Sequence, residues 1–176
     1  MNDEKLAALE VRLAEVEARL AIMDLEAEYA RSWDAGDGDG WAALFTSDGV
    51  FDLAAVGAQP RQIITGNAKL SAFCRDIDAI YKGLHFMHLP RIQLAGDRAY
   101  SRLHFQWMGL FRPDANYNGQ RSAAGYYDVT YHRVNGRWLI KHRLDKSVSA
   151  QTVENFDLYI NGDFGPKATG DDFPRS

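Results

Sequence analysis

The chain has 176 residues, 46% apolar and 12% aromatic, enough to bury the core of one domain. Lys and Arg total 20 against 24 Asp and Glu, and the net charge of −4 argues against a nucleic-acid binder, which carries a basic excess or stripe. The one cysteine, Cys74, excludes an internal disulfide and a thiolate zinc cluster, and no run approaches the ~18 apolar residues of a membrane span.

The N-terminus is acidic and amphipathic, without the basic and apolar regions of a secretory leader, so a cytoplasmic setting is expected. Residues 3–35 are strong helix formers, free of Gly and Pro. Leu6, Leu9, Leu13, Val16, Leu20, Met23, Ala27 and Ala30 recur at alternating spacings of three and four, one stripe of a helix. Asp34 is next in that series. The pattern predicts it on the buried face, where a carboxylate needs a partner.

Three glycines between Gly36 and Gly40 end the helix. A short helix is expected at 41–45, with Asp39 as its N-cap, then a hairpin of strands at 49–53 and 59–66. Asn67 or Thr65 caps a third helix running to about Tyr81. Strand patterns follow at 85–94, 98–111, 126–134 and 137–148, with a polar loop at 113–122 and Asn135-Gly136 as the strongest hairpin signal. Helices first and a meander of strands after them predict an α+β fold, a curved, mostly antiparallel sheet wrapped around the helices. We divide the chain into a helical extension (1–20), a body (21–148) and a C-terminal arm (149–176) packed on the body or a neighbouring subunit. The leucine stripe either packs on its own body or forms a coiled-coil seam with a partner.

His85 opens a strongly apolar strand pattern, and an imidazole is a fitting partner for Asp34. Tyr29 lies roughly 140° around the helix from Asp34, within the same broad buried arc as Ile22, Leu25 and Trp33. Glu26 falls in that arc too, either at its edge or as a second pocket carboxylate. Alternation along 98–111 puts Leu103, Phe105, Trp107 and Phe111 on the core or pocket face, and His104 outside. His88 should face away from His85, and His132 and His142 have no partner spacing. Tyr127 is the better placed of Tyr127 and Tyr131 for a pocket hydroxyl. Arg143 and Lys146 are either surface charges or anchors for an anionic group. No His-Glu-x-x-His or paired His/Asp cluster suggests a metal.

Tyr29-Ala-Arg-Ser-Trp-Asp34, Trp41-Ala-Ala-Leu-Phe45, His85-Phe-Met-His88-Leu-Pro-Arg-Ile92, Gly125-Tyr-Tyr127 and Asn135-Gly-Arg-Trp138 resemble the SnoaL-like branch of the nuclear transport factor 2-like (cystatin-like) superfamily over about residues 20–148. The chain is most similar to the lyases of that superfamily: bile-acid 7α-dehydratase, scytalone dehydratase and hexachlorocyclohexane dehydrochlorinase. The resemblance implies a cone-shaped α+β barrel that works without a cofactor or metal, with the Asp–His pair at Asp34 and His85 and a tyrosine at Tyr29. In two places the chain departs from the pattern. Trp107 or Gly109 stands where a second polar catalytic group is expected, and a late arginine of the bile-acid enzyme falls near Ser147, with only Arg143 or Lys146 close by.

The expected function is a dehydratase or related eliminase acting on a small hydrophobic, cyclic or aromatic substrate. His85 takes a carbon-bound proton, Asp34 orients it, and Tyr29 assists the leaving group. Trp33, Phe105, Trp107 and Tyr127 line the pocket, with Arg143 and Lys146 as substrate anchors. The alternatives are an isomerase or retro-aldol lyase on the same pocket, a ligand-binding scaffold, or an oxygenase β-subunit. Expected partners are the substrate and further copies of the chain, as a dimer or trimer, but neither nucleic acid nor a membrane.

Overall fold

In the computed structural model, which describes residues 3–56, 59–111 and 119–154, Asp3–Asp34 forms one uninterrupted helix, α1. It ends at Gly36, whose φ of 68° is left-handed backbone that glycine adopts without strain. The face α1 buries is Ile22, Leu25, Glu26, Tyr29 and Ser32. This corrects the expected stripe: Leu6, Leu9, Leu13, Val16 and Leu20 are all exposed. Asp34, the last helical residue, is half-buried and lies well around the helix from that face.

Helix α2 (Gly38–Ala42) starts earlier than expected and is capped by Asp37, which accepts from the Gly40 N–H at 3.0 Å. Asp39 instead accepts from Ser71 Oγ at 2.7 Å and Arg75 at 2.5 Å. Helix α3 (Asn67–Ile80) has Gly66 at its N-cap position, with no side-chain cap. The Asn67 amide donates to the Ala42 carbonyl and ties α3 to α2.

The strands are β1 (Phe45–Leu53), β2 (Gln62–Thr65), β3 (Tyr81–Met87), β4 (Arg91–Ala95), β5 (Arg98–Phe111), β6 (Gly119–Val134) and β7 (Arg137–Glu154). Their order is β2-β1-β7-β6-β5-β3, with β4 also on β5. The sheet is mixed, because β1 runs parallel to β7, and it is curved but open rather than a closed barrel. The single strand expected at 85–94 is two. β3 pairs the far half of β5 and β4 the near half, so both occupy one edge. Pro90, which has no N–H to give a ladder, stands in the break between them. His85 therefore lies inside β3 rather than at its start. β6 begins at Gly119, inside the expected polar loop, and residues 112–118 lie outside the described residues. Asn135 (φ 50°) and Gly136 (φ 80°) make the tight β6–β7 turn. Of the expected C-terminal arm, 149–154 continue β7 and 155–176 lie outside the described residues.

One core joins helices and sheet: Ile22, Leu25 and Tyr29 from α1 and Trp41 from α2 meet Phe45, Leu103, Val129 and Ile140 from the strands. Among the described residues no helix is long and apolar enough to cross a membrane.

Candidate active site

Asp34 and His85 touch. The Asp34 carboxylate spans the imidazole and its own peptide: Oδ1 lies 2.7 Å from His85 Nδ1, and Oδ2 accepts the His85 backbone N–H at 2.8 Å. Two contacts to one residue fix both the position and the plane of the ring. The side chains are 4% exposed for His85 and 15% for Asp34, so the pair works in a medium where charge–charge attraction is strong. A carboxylate at a helix C-terminus opposes the helix dipole. Lys82 offsets this by donating its Nζ to the Asp34 carbonyl at 3.1 Å.

The contact with Asp34 places the imidazole proton on Nδ1 and leaves Nε2 bare, and the tautomer follows from this network. The Tyr127 hydroxyl lies 3.3 Å from Nε2 and donates to it. Tyr29 meets the His85 ring edge-on, with 6.1 Å between centroids, and Trp33 does so at 6.2 Å. The hydroxyl that reaches Nε2 is thus Tyr127's rather than Tyr29's. Burial pushes both phenols above their ordinary range, so each keeps its proton and acts as a donor.

These groups open onto a cavity of about 370 Å³, within the range of small-ligand sites. Of the expected binding residues, Trp33, Phe105, Trp107 and Tyr127 line it, with Phe51, Phe73 and Ile77. Phe105 stacks on Tyr127 at 4.1 Å and holds that phenol in place. Trp107 lies flat along the sheet because Gly83 and Gly109 leave room: a Cβ on either would fall 2.2–2.6 Å from the indole.

Arg143 and Lys146 do not line the cavity. Lys146 is exposed, with its ammonium 5.9 Å from the outward-facing Tyr126 ring. Arg143 is fully buried behind the cavity wall and gives Nη1 to both oxygens of Glu26, at 2.9 and 2.8 Å. Its guanidinium lies between the Tyr29 ring (3.6 Å) and the Tyr127 ring (3.8 Å). Glu26, expected most simply at the edge of the helix face, is buried and also accepts from the Tyr131 hydroxyl at 2.5 Å. This Glu26–Arg143 pair braces the two tyrosines from behind.

The polar groups that β7 gives the cavity are Asp145 and Ser147, neither expected from the sequence. Desolvation raises the Asp145 carboxyl from 3.8 to about 6, while Ser147, donating at 3.2 Å, and the charges of Arg143 and His85 pull the other way. A raised pKa in the folded state means the unfolded chain releases this proton first. Stability is therefore lost as pH rises from about 4 to about 6 and is level above that. At about 1.4 kcal/mol per unit the loss is roughly 2–3 kcal/mol. Asp145→Asn is expected to remove this slope and to be roughly 2 kcal/mol more stable than the parent at pH 7, with no gain at pH 4. Urea unfolding at the two pH values measures it, and equal gains at both would contradict the assignment.

The remaining histidines lie elsewhere. His88 and His104 are exposed and face one another at 6.3 Å, and His142 contacts Asp52 at 3.2 Å on the β1–β7 side. Cys74 is buried, and its thiol is pushed up to about 12 by desolvation, which makes it unreactive. Among the described residues no group of three or more His, Cys, Asp or Glu could hold a metal ion.

Residues 14–144 match the SnoaL-like domain model. No curated protein matches the chain. Among solved structures, a candidate aromatic ring hydroxylase from Novosphingobium aromaticivorans is 26% identical, covering 78% of this chain and 94% of its own, with a TM-score of 0.68. A type 2 hexachlorocyclohexane dehydrochlorinase (LinA) is 16% identical over 86% of this chain and 99% of its own, with a TM-score of 0.73. A candidate scytalone dehydratase from Novosphingobium aromaticivorans is 19% identical over 81% and 90%, with a TM-score of 0.64. The match over 14–144 and the shared architecture lead to one assignment: the chain belongs to the SnoaL-like domain family, on the nuclear transport factor 2-like fold.

Proposed function

We propose that the protein is a lyase that eliminates a small leaving group from a hydrophobic, cyclic or aromatic substrate, using its own side chains and no bound cofactor. The observation that carries this is His85 on the wall of a largely apolar cavity, its ring oriented by Asp34 so that Nε2 is the unprotonated nitrogen, with the Tyr127 hydroxyl 3.3 Å from it. The dehydrochlorinase and dehydratase names of the two structural neighbours support the same class.

In this reading the Tyr127 hydroxyl turns from Nε2 to the bound substrate, and Nε2 takes a proton from a substrate carbon. The C–H electron pair forms a double bond to the adjacent carbon, and the leaving group departs with its own pair. Asp34 stabilises the imidazolium that forms. A departing hydroxyl needs a proton, and the Asp145 carboxyl, poised at about 6, is the donor in the cavity suited to give one. Tyr127, and Tyr29 beside it, hydrogen-bond the oxygen as it gains charge. Water leaves, the imidazolium returns its proton to solvent, and Asp145 is reprotonated. A chloride leaving group needs only the first half of this relay.

An isomerase would begin with the same proton abstraction and put the proton back elsewhere. The two are separated by incubating the protein in deuterated water with cyclic β-hydroxy ketones, steroidal alcohols and chlorinated cyclohexanes, followed by mass spectrometry. The expected result is loss of water or hydrogen chloride from at least one class. Deuterium gain without loss of mass elsewhere in the molecule identifies an isomerase. Compounds that bind the cavity tightly yet neither eliminate nor exchange would overturn the reading.

A further inference from the structure

We infer that the N-terminal part of α1 is a seam through which copies of this chain associate, parallel and in register. The inference is independent of the proposed chemistry. Five aliphatic residues in a row along the helix, Leu6, Leu9, Leu13, Val16 and Leu20, are 44–57% exposed. That is a stripe a soluble surface rarely leaves uncovered.

Their spacing is a heptad: Leu6, Leu13 and Leu20 take the a positions, and Leu9, Val16 and Met23 take d. The flanking positions then sort completely by sign. Over residues 5–24 every g position is basic (Lys5, Arg12, Arg19) and every e position is acidic (Glu10, Glu17, Asp24). In a parallel, in-register pair, each g residue meets the e residue five places later on the other copy. Lys5 then faces Glu10, Arg12 faces Glu17 and Arg19 faces Asp24, and each pair is repeated across the symmetry axis. Reversed, the same helices would set g against g and e against e, base against base and acid against acid. The charge pattern thus selects both the partner, a second copy, and the orientation.

The geometry leaves room for it. At 100° per residue, the centre of the stripe lies about 175° from the centre of the face that α1 buries on its own body. Ala18, Ile22, Leu25 and Tyr29 pack inward, and Met23 at the last d position is half-buried against the body, so the free seam runs from Leu6 to Leu20. Two helices joined along the stripe therefore carry their bodies on opposite outer sides. Arg19 already donates one N–H to the Ile92 carbonyl at 2.8 Å, which steadies the helix on its body and leaves guanidinium donors for a partner. Two and a half heptads are marginal alone. Here each helix is already nucleated at its C-terminal end by the domain that holds it. Leu at every a position with β-branched Val16 at a d position leans toward three or four strands rather than two, and the same g-to-e pairing serves each number.

The test uses the full chain, with mass measured by light scattering and fold by circular dichroism. The wild-type protein is expected at an integer multiple of 19.8 kDa, and Leu9→Glu/Leu13→Glu at a smaller mass with its fold intact, since both sites are already exposed. K5E/R12E and E10K/E17K are each expected to associate at least tenfold more weakly than the parent, and to recover when mixed. Leu9→Cys, with the native thiol buried, is expected to cross-link between copies on mild oxidation. A monomeric parent overturns the inference, as does an oligomer whose mass ignores the two leucine changes. Association that persists while Leu9→Cys fails to cross-link overturns the parallel arrangement.

Discussion

His85→Gln is expected to lower kcat by about 10²–10⁴-fold on any substrate the protein turns over, with little change in unfolding midpoint. The size follows from what is lost. Glutamine has no nitrogen basic enough to accept a carbon-bound proton, while the apolar walls that bind substrate are untouched, so KM should move far less than kcat. Asp34→Asn should fall in the same direction by a different route. The amide has one oxygen for two donors: either it accepts the His85 backbone N–H and turns its NH2 toward Nδ1, or it faces Nδ1 and leaves the backbone N–H without an acceptor. With an N–H there, the ring proton moves to Nε2 and the base is blocked. With an oxygen there, the imidazolium loses its counter-charge. Nitrogen NMR reads this without any substrate: Nδ1 carries the proton in the parent, and a mixture of tautomers is expected in the variant. Tyr127→Phe removes the donor 3.3 Å from Nε2 and should cost less than either, because the base itself is intact. If His85→Gln and Asp34→Asn both keep full activity, the dyad is a structural contact and the chemistry lies elsewhere in the cavity.

The Asp34–His85 meeting was legible in the sequence, but from a premise the structure replaces. The leucine stripe pointed to a buried face that proves to be exposed from Leu6 to Leu20, and Asp34 meets His85 because α1 ends beside β3, not because the stripe before it is buried. Periodicity identifies an apolar face without saying what covers it, and here two faces compete: a broken one on the body and a regular one away from it. The α+β class and the bounds of β5 were read correctly from alternation, and Phe105 and Trp107 fell on the cavity side for that reason. β7 was harder. Its register slips opposite Thr130/Tyr131 and again opposite Ala124/Gly125. Trp138 and Ile140 face inward. After the first bulge, Arg143, Asp145 and Ser147 take that face, and after the second, Ala150 does. Each bulge inverts the alternation that a sequence reader must rely on. That is why Asp145 was missed and Lys146 misplaced. Glu26 was ambiguous for a related reason: its partner lies 117 positions away, on the strand whose parity could not be read.

The largest stability effect is expected at that Glu26–Arg143 pair. Both side chains are almost wholly buried, and Arg143 Nε and Nη2 have no hydrogen-bond partner among the described residues. The guanidinium is therefore held by one carboxylate and two ring faces. Glu26→Ala leaves it buried with only the rings, and should cost about 3–5 kcal/mol, the range for breaking a buried pair from one side. Arg143→Met leaves a buried carboxylate that still accepts from Tyr131 but has no counter-charge, and should fall in the same range. Changing both, Glu26→Leu with Arg143→Met, removes the unpaired charge and should recover most of that loss, because two desolvated ions give way to apolar volume. Denaturant unfolding of the four proteins closes the cycle, and simple additivity of the two single losses would mean the groups do not act as a pair. The double variant then separates stability from function. Tyr29 and Tyr127 lose the guanidinium between their rings, so a fold as stable as the parent's should still turn over more slowly, because the hydroxyl at Nε2 is no longer held from behind.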